Sequence, residues 1–315
     1  MFISPKKCIR YLLALVIIFT LNFIIPRAMP GDPLTNLLGE EFTLSETAVQ
    51  ELRSELGLDK PLTVQFFQYW KNILTLNLAF SYHFNQKVVS LILSRMKWTL
   101  ALLVPSIILG AILGTLLGAL SGWKRSTLPN KTMTWFFLAV YSSPPYFLGI
   151  IFLYIFSFKW GLFPFKGFYA TGTVGDILRH LFLPLLIMSA FTASRNYMIM
   201  RGSVIIEKEK LYVLFAKAKG LLGNTILFRH VFKNAILPVI TLVALDFGFL
   251  LSGALFVEII FSMNGMGTLI YEALLSRDYP VLQGCFLFIT IMVIGANFIA
   301  DILYGIIDPR VREKH

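Results

Sequence analysis

Three acidic residues interrupt otherwise apolar stretches of the sequence, and they are the first candidates for chemistry. Asp246, Glu258 and Asp301 each lie in an apolar run long enough to cross a bilayer. A charged group at mid-bilayer is costly, so such residues often mark transport or proton pathways. Asp246 lies about 16 Å into its run at 1.5 Å per residue, which is near the midplane. It is either a pore-lining group or coupling-ion site, or a hydrogen-bonded helix contact, and we prefer the contact.

The other two acids lie nearer the ends of their runs. Glu258 is about 18 Å further along the helix than Asp246, so we expect it at the outer membrane interface. Solvent or a partner such as Arg277 would satisfy its charge there. Asp301 is close to the end of the last run, where we expect it to anchor the final helix.

Motifs of ATPases and common hydrolases are absent from the sequence. It has no G-x-x-x-x-G-K-S/T stretch for a phosphate cradle, and no H-E-x-x-H, C-x-x-C or G-x-S-x-G stretch. The two cysteines, Cys8 and Cys285, are too far apart in sequence to suggest a disulfide framework or a metal cluster. We therefore expect no catalytic site, metal or cofactor in this chain, and its energy must come from a partner or a gradient.

The composition identifies the elements that must position these residues as membrane helices. Apolar residues make up 57% of the 315 residues and charged residues only 14%, against about 25% charged in soluble domains. A bilayer core needs about 20 apolar residues of helix. Six runs approach that length, at residues 9–25, 98–120, 133–158, 181–200, 235–260 and 281–307. The sequence thus predicts an all-α integral membrane protein with six transmembrane helices.

Basic residues in the connections predict the orientation of these spans. With the assigned spans, 17 Lys and Arg residues and only four acids fall on the side of the termini. Lys and Arg accumulate on the cytoplasmic side, so both termini are predicted in the cytoplasm. The net charge of +11 is therefore a topology signal, and nucleic acid is not expected as a partner. The first run also fits a secretory signal, but it lacks a small-x-small cleavage site.

The longest connections are predicted to form one subdomain on each side of the membrane. Residues 30–96 read as an extracytoplasmic helical subdomain, between an N-terminal helix at 1–29 and a five-helix core at 97–315. Its aromatic residues Phe66, Phe67, Tyr69 and Trp70 predict a helix at the outer interface. Residues 30–96 either form only a scaffold or also contact the solute.

The cytoplasmic loop at residues 201–234 is the most informative connection. Leu211, Leu214, Phe215 and Ala218 recur at helical spacing, and Gly220 follows as a helix stop. A second short helix is predicted before Pro238. A protruding helix of this kind either inserts into a groove of a soluble partner or lies on anionic lipid.

Two patterns inside the spans predict local geometry. Ser142, Ser143, Pro144 and Pro145 interrupt the third run, and the prolines remove amide donors, so a kink is expected there. The kinked segment either lines a pore or only shapes packing. Glycines recur every fourth residue at 110, 114 and 118, a face suited to close helix packing or to a subunit interface.

Several of these segments, taken together and in order, resemble one protein family. The matching stretches are Tyr212-Val213-Leu214-Phe215-Ala216-Lys217-Ala218-Lys219-Gly220 with Arg229-His230, Asn234-Ala235 and Pro238; Pro30-Gly31-Asp32-Pro33; Gly57-Leu58-Asp59-Lys60-Pro61-Leu62; Arg277-Asp278-Tyr279-Pro280 with Gln283-Gly284; and Asp301-Ile302-Leu303-Tyr304 with Asp308-Pro309-Arg310. The combination resembles permease subunits of binding-protein-dependent ABC importers, in the dipeptide, oligopeptide and nickel branch. The resemblance extends over nearly the whole chain and implies the type I importer permease fold.

The resemblance also implies partners and a coupling loop. The family's loop docks on a cytoplasmic ATPase, and here it comprises Leu211, Tyr212, Leu214, Phe215, Ala216, Ala218, Lys219 and Gly220. Leu214 stands where the family usually has glutamate, and Phe215 where it has alanine. Met263-Asn264 follows Phe261-Ser262 in place of the common Trp-Pro. Implied partners are a homologous second permease, two ATPases that bind ATP and Mg, and an extracytoplasmic solute-binding protein in the cytoplasmic (inner) membrane.

Three functions remain open from the sequence. The resemblance favours ATP-driven import of short peptides, with nickel or a metal chelate as the alternative cargo. His83, His180, Met29, Met263 and Met266 show no ligand spacing for a bare metal ion. A gradient-driven carrier using Asp246 is the rival mechanism, and a membrane receptor or scaffold without a conduit is the third hypothesis.

Overall fold

The computed structural model describes residues 5–28, 50, 54, 57, 59–75, 77–78, 80–81, 83–124, 127–276 and 278–307. The chain divides into two compact units. The larger unit contains Thr99–Met263 and the chain from Met292, and the smaller unit contains Pro5–Trp98 and Asn264–Ile291. The predicted boundaries at 29/30 and 96/97 stay predictions.

Helices dominate the described residues. In chain order they are α1 (Pro5–Ala28), α2 (Leu62–Leu74), α3 (Val88–Trp123), α4 (Leu128–Ser142), α5 (Pro145–Phe152), α6 (Val174–Lys208), α7 (Leu211–Ala218), α8 (Gly223–Ile226), α9 (Phe232–Ala235), α10 (Leu237–Ile260), α11 (Met266–Leu275) and α12 (Tyr279–Ile307). Two π-helical segments, Leu153–Lys159 and Leu227–Val231, follow α5 and α8. A two-residue hairpin pairs β1 (Phe80–Ser81) with β2 (Gln86–Lys87).

The apolar helices confirm the fold class, an all-α integral membrane protein. Among the described residues, three helices are long and apolar enough to cross a membrane, or up to five if each of two bent pairs is one span. The count of six therefore stays a prediction. Two helices extend beyond their predicted apolar runs: α3 begins at Val88 and α6 at Val174. Thr173 caps α6, since its side chain accepts from the Asp176 amide.

The helix break predicted in the third run is present. Helix α4 ends at Ser142, α5 begins at Pro145, and the axes on either side differ by 101°. Ser143 and Pro144 between them have extended backbone, because a proline disfavours the helical conformation of the residue before it and cannot donate an amide hydrogen bond. This confirms the kink; it does not test pore lining.

The glycine face of α3 packs against α6 within the larger unit. A Cβ atom at Gly110, Gly114 or Gly118 would lie 2.8, 2.3 or 2.6 Å from a backbone carbonyl oxygen of α6. Gly122 continues the series, with a Cβ 2.8 Å from the Arg201 carbonyl oxygen. The prediction of close packing is confirmed, and the glycines serve a contact inside this chain.

In the smaller unit, aromatic residues of α2 pack on α1. The ring centroid of Phe23 lies 5.2 Å from that of Phe66, and Phe19 lies 5.6 Å from Trp70. The predicted aromatic helix is therefore present as α2. The helix expected within 48–56 and the Pro30–Pro33 break fall mainly or wholly outside the described residues.

A buried carboxylate ties the hairpin to the start of α12 in the smaller unit. The Ser81 hydroxyl donates to Asp278, whose other oxygen accepts from the Val281 amide at 3.2 Å. Asp278 is thus the N-cap of α12. Burial raises the pKa of Asp278 above its ordinary value.

Candidate functional site: the α7 segment

The segment that follows α6 folds as the short helices that the sequence predicted. Helix α7 covers Leu211–Ala218, and α8, a π-helical segment and α9 continue the chain from Gly223 to Ala235. Gly220 separates the two parts with φ +78°, a backbone conformation that glycine adopts without steric cost. Its amide donates to the Lys217 carbonyl oxygen at 2.9 Å, which closes the end of α7.

Two small apolar side chains anchor α7 to the larger unit. Val213 is fully buried and Ala216 nearly so. Both belong to a hydrophobic cluster with side chains from α3, α6, α8, α9, α10 and the π-helical segment between α8 and α9. Its other buried members are Ala119, Met200, Val204, Ile226, Leu227, Val231, Ala235 and Val239. Sequence reasoning missed Val213 as an anchor, although its spacing from Ala216 is helical.

The apolar face that periodicity detected points away from this cluster. Leu211, Leu214 and Phe215 keep 72%, 63% and 65% of their surface exposed, and Ala218 and Lys219 are exposed beside them. Isolated exposed apolar residues are ordinary, but a contiguous group of large ones marks an interaction surface. We call Leu211, Leu214 and Phe215 the apolar knob.

Hydrogen bonds fix the N-terminal end of α7 to its neighbours. The Tyr212 hydroxyl donates to Glu207 Oε2 at 2.7 Å, and Lys210 forms an ion pair with the same carboxylate. Asn234 Nδ2 in turn donates to the Tyr212 oxygen at 3.4 Å. Burial and the bond to Glu207 raise the pKa of Tyr212 to about 12, so the hydroxyl stays a donor at neutral pH. Tyr212 therefore holds α7 in position and is not part of its exposed face.

The five pore-lining candidates lie in two different environments. Ser142 and Pro144 are exposed, and Ser143 and Pro145 are partly buried. Asp246 on α10 is buried and accepts a hydrogen bond from Arg195 Nη1 of α6 at 2.8 Å. The preferred interpretation of Asp246 as a helix contact is confirmed by this ion pair. A pathway role for any of the five stays a prediction.

Glu258 lies in a different environment from the one predicted. It is fully buried, and the Thr99 hydroxyl of α3 donates to its Oε1 at 2.6 Å. The expectation of a solvated acid at the outer interface was wrong, because position along a helix says nothing about which face another helix covers. Arg277, the suggested partner, lies outside the described residues, and Asp301 is partly buried.

The larger unit also contains an apolar cavity of about 660 Å³. Side chains from α3, α9, α10 and α12 and the residue between α9 and α10 line it, and Thr115 is the one with a hydroxyl. None of the five pore-lining candidates contributes to its wall. The described residues contain no group of three or more His, Cys, Asp or Glu side chains arranged to hold a metal ion.

Comparisons with known proteins cover almost the entire chain. Residues 106–313 match the family described as binding-protein-dependent transport system inner membrane component, and residues 2–103 match the N-terminal region described for such membrane components. A putative peptide permease of Brucella ovis is 34% identical over 96% of this chain and 95% of its own length. The dipeptide transport system permease protein DppB of Escherichia coli is 31% identical over 93% of this chain and 94% of its own. The glutathione transport system permease protein GsiC of Escherichia coli is 31% identical over 98% of each chain.

Proposed function

Because the chain belongs to the family of binding-protein-dependent transport system inner membrane components, we propose that it imports short peptides as the permease subunit of an ATP-driven transporter. The relatives named for peptide, dipeptide and glutathione transport support this cargo, since all three names refer to short peptides or peptides in general. Similarity over nearly the full length of both chains supports a shared function of the whole subunit. No observation of this chain favours nickel.

Energy for import comes from separate ATPase subunits that bind ATP and Mg. The sequence has no P-loop, and the observation that carries the proposal is the exposed apolar knob on α7. Leu211, Leu214 and Phe215 protrude from a helix whose opposite face is buried. A short amphipathic helix of this kind suits an apolar groove on a soluble partner, and Leu214 in place of the family's usual glutamate keeps the knob apolar.

The remaining partners follow from the family description. A solute-binding protein delivers the peptide from outside, and a homologous second permease completes the pathway, as in a type I importer. Six spans with both termini in the cytoplasm put α7 on the side of the ATPases. The excess of Lys and Arg on the α7 side supports this orientation.

Charge on the apolar knob tests the docking. We expect Phe215→Asp to weaken ATPase binding about tenfold or more, since truncating a central anchor of an interface costs ~2 kcal/mol or more. The matched control is Leu128→Asp at the start of α4, which is 78% exposed and outside the α7 segment. The measurements are the amount of ATPase that co-purifies with tagged permease, and ATP-dependent uptake of a labelled dipeptide into vesicles containing the assembled transporter.

The result that contradicts this function is normal uptake and normal ATPase binding in Phe215→Asp. Uptake by wild type without ATP, driven by an ion gradient, would instead support a secondary carrier. Purified transporter that retains ATPase but moves no solute of any class would support a scaffold or receptor. Replacing the dipeptide with Ni²⁺ in the same vesicles distinguishes peptide from metal cargo.

A further inference from the structure

The indole ring of Trp123 lies where the ends of several helices of the larger unit meet. Trp123 is the last residue of α3. Its side chain is partly buried and packs against the hydrophobic cluster that holds Val213 and Ala216 of α7. Ala119, about one turn earlier on α3, is fully buried in the same cluster. The last turn of α3 is therefore in contact with the anchored face of α7.

Two lysines from different helices approach the ring. Lys208 Nζ, at the end of α6, lies 5.2 Å from the ring centroid and also donates to the Trp123 carbonyl oxygen at 2.7 Å. Lys217 Nζ, on α7, lies 5.9 Å from the ring centroid. Ammonium groups within about 6 Å of an indole centroid are attracted to it, and tryptophan is the strongest of the aromatic partners.

A glycine allows a third element to approach the same ring. A Cβ atom at Gly223, the first residue of α8, would lie 3.3 Å from Trp123 Nε1. Any side chain there would be tightly packed against the indole. Trp123 thus joins α3 to the end of α6, to α7 and to the start of α8 through one rigid side chain.

This arrangement matters because α3 and α7 are distant in sequence. Helix α7 is connected through the backbone to α6 and to α8, whereas α3 continues into α4. A displacement of α7 reaches α3 only through packed side chains, and packed interfaces transmit such shifts because they are not continuously deformable. Among the described contacts, Trp123 combines a ring contact to α7 with a main-chain bond to α6.

We propose that Trp123 is a positioning residue that transmits displacement of α7 to the transmembrane helix α3, so that ATP hydrolysis by a docked partner is coupled to solute movement. This proposal rests on the proposed function of α7. Trp123 takes no part in docking itself, because the exposed apolar knob, and not the cluster under it, meets the partner.

The test compares Trp123→Ala, Trp123→Phe and the control Trp135→Ala in the complete transporter. Trp135 on α4 is 71% exposed, so its removal measures the general effect of losing an indole. Three quantities are measured: co-purified ATPase, ATP hydrolysis stimulated by binding protein and dipeptide, and dipeptide uptake. We expect Trp123→Ala to bind ATPase normally while uptake per ATP falls about fivefold, and Trp123→Phe to recover at least half of the ratio, since phenylalanine retains a weaker cation-binding face.

A wild-type ratio of uptake to hydrolysis in Trp123→Ala would overturn the proposal, and so would a Trp123→Phe variant as defective as alanine. Loss of ATPase binding in proportion to uptake would assign Trp123 to docking and also overturn it. If Trp123→Ala does not reach the membrane, Lys217→Gln carries the test, with an expected loss of about twofold in the ratio and an unchanged ratio counting against transmission. Failure of the proposed function is recognised separately, because Phe215→Asp would then leave ATPase binding intact whatever the Trp123 variants do.

Discussion

At the residue scale, the ion pair between Arg195 and Asp246 joins α6 to α10 inside the larger unit. Only 2% of the Asp246 side chain is exposed, against 16% for Arg195. Removing two charges from water is costly, and their attraction offsets that cost only while both partners remain. Within the described part of the chain, Asp246 Oδ2 has no hydrogen-bond partner, so the pair depends on the single bond from Arg195. The burial of Asp246 is explained by a helix contact, and a pathway role needs its own test.

We predict that Arg195→Met lowers stability by ~3–5 kcal/mol, because it leaves the Asp246 carboxylate buried without its cation. The double variant Arg195→Met with Asp246→Leu should regain most of this loss, since no buried charge remains. Thermal unfolding of the detergent-solubilised protein measures both effects. Dipeptide uptake by the double variant then separates the two roles of Asp246. A helix contact predicts that uptake persists, whereas a pore-lining or coupling-ion role predicts its loss.

At the element scale, the approach of α3 to α6 depends on residues without side chains. Gly110, Gly114, Gly118 and Gly122 meet carbonyl oxygens of α6 at distances too short for a Cβ atom. In a bilayer the lipid tails are as apolar as leucine, so helix association relies on close packing of this kind. The contact also fixes the end of α3, where Trp123 meets α7.

We predict that Gly114→Ala costs ~1–3 kcal/mol, because its methyl group would lie 2.3 Å from the Ala193 carbonyl oxygen and the two backbones must separate. Gly202→Ala is the matched control. It lies on α6 with nothing within 4 Å of the added Cβ, and alanine in a helix is favoured over glycine by about 0.5–1 kcal/mol. Opposite shifts of the unfolding temperature are expected, and equal shifts would refute the packing role of Gly114.

At the scale of the whole molecule, the distribution of charge determines how the chain is inserted. The formal net charge is +11, and its excess lies in the connections that include α7. Basic loops stay on the cytoplasmic side during insertion, which is the side on which ATPases are present. The proposed docking of α7 therefore requires the predicted topology.

We predict opposite labelling of two single-cysteine variants by a membrane-impermeant maleimide. With Cys8 and Cys285 replaced by serine, Ala218→Cys should react only in inside-out vesicles and Phe165→Cys only in right-side-out vesicles. Both parent residues are at least half exposed or fully accessible to label by their burial. Labelling of Ala218→Cys from the outside would invalidate the orientation and, with it, the docking of ATPases on α7.

The sequence by itself determined those features that depend on neighbouring residues. Apolar periodicity predicted α7, the Pro144-Pro145 pair predicted the break between α4 and α5, and Gly220 predicted the end of α7. These signals are local, because helix formation, proline geometry and left-handed backbone conformations depend on a few consecutive residues.

Only the tertiary structure decided which side chains meet across the chain. It turned Leu214 and Phe215 outward and Val213 inward, buried Glu258 against Thr99, and joined Asp246 to Arg195. Spacing within a helix marks a stripe of residues but does not say whether another helix covers it. That depends on packing between segments far apart in sequence, and for this reason the contacts of Trp123 with α6, α7 and α8 had no sequence signal.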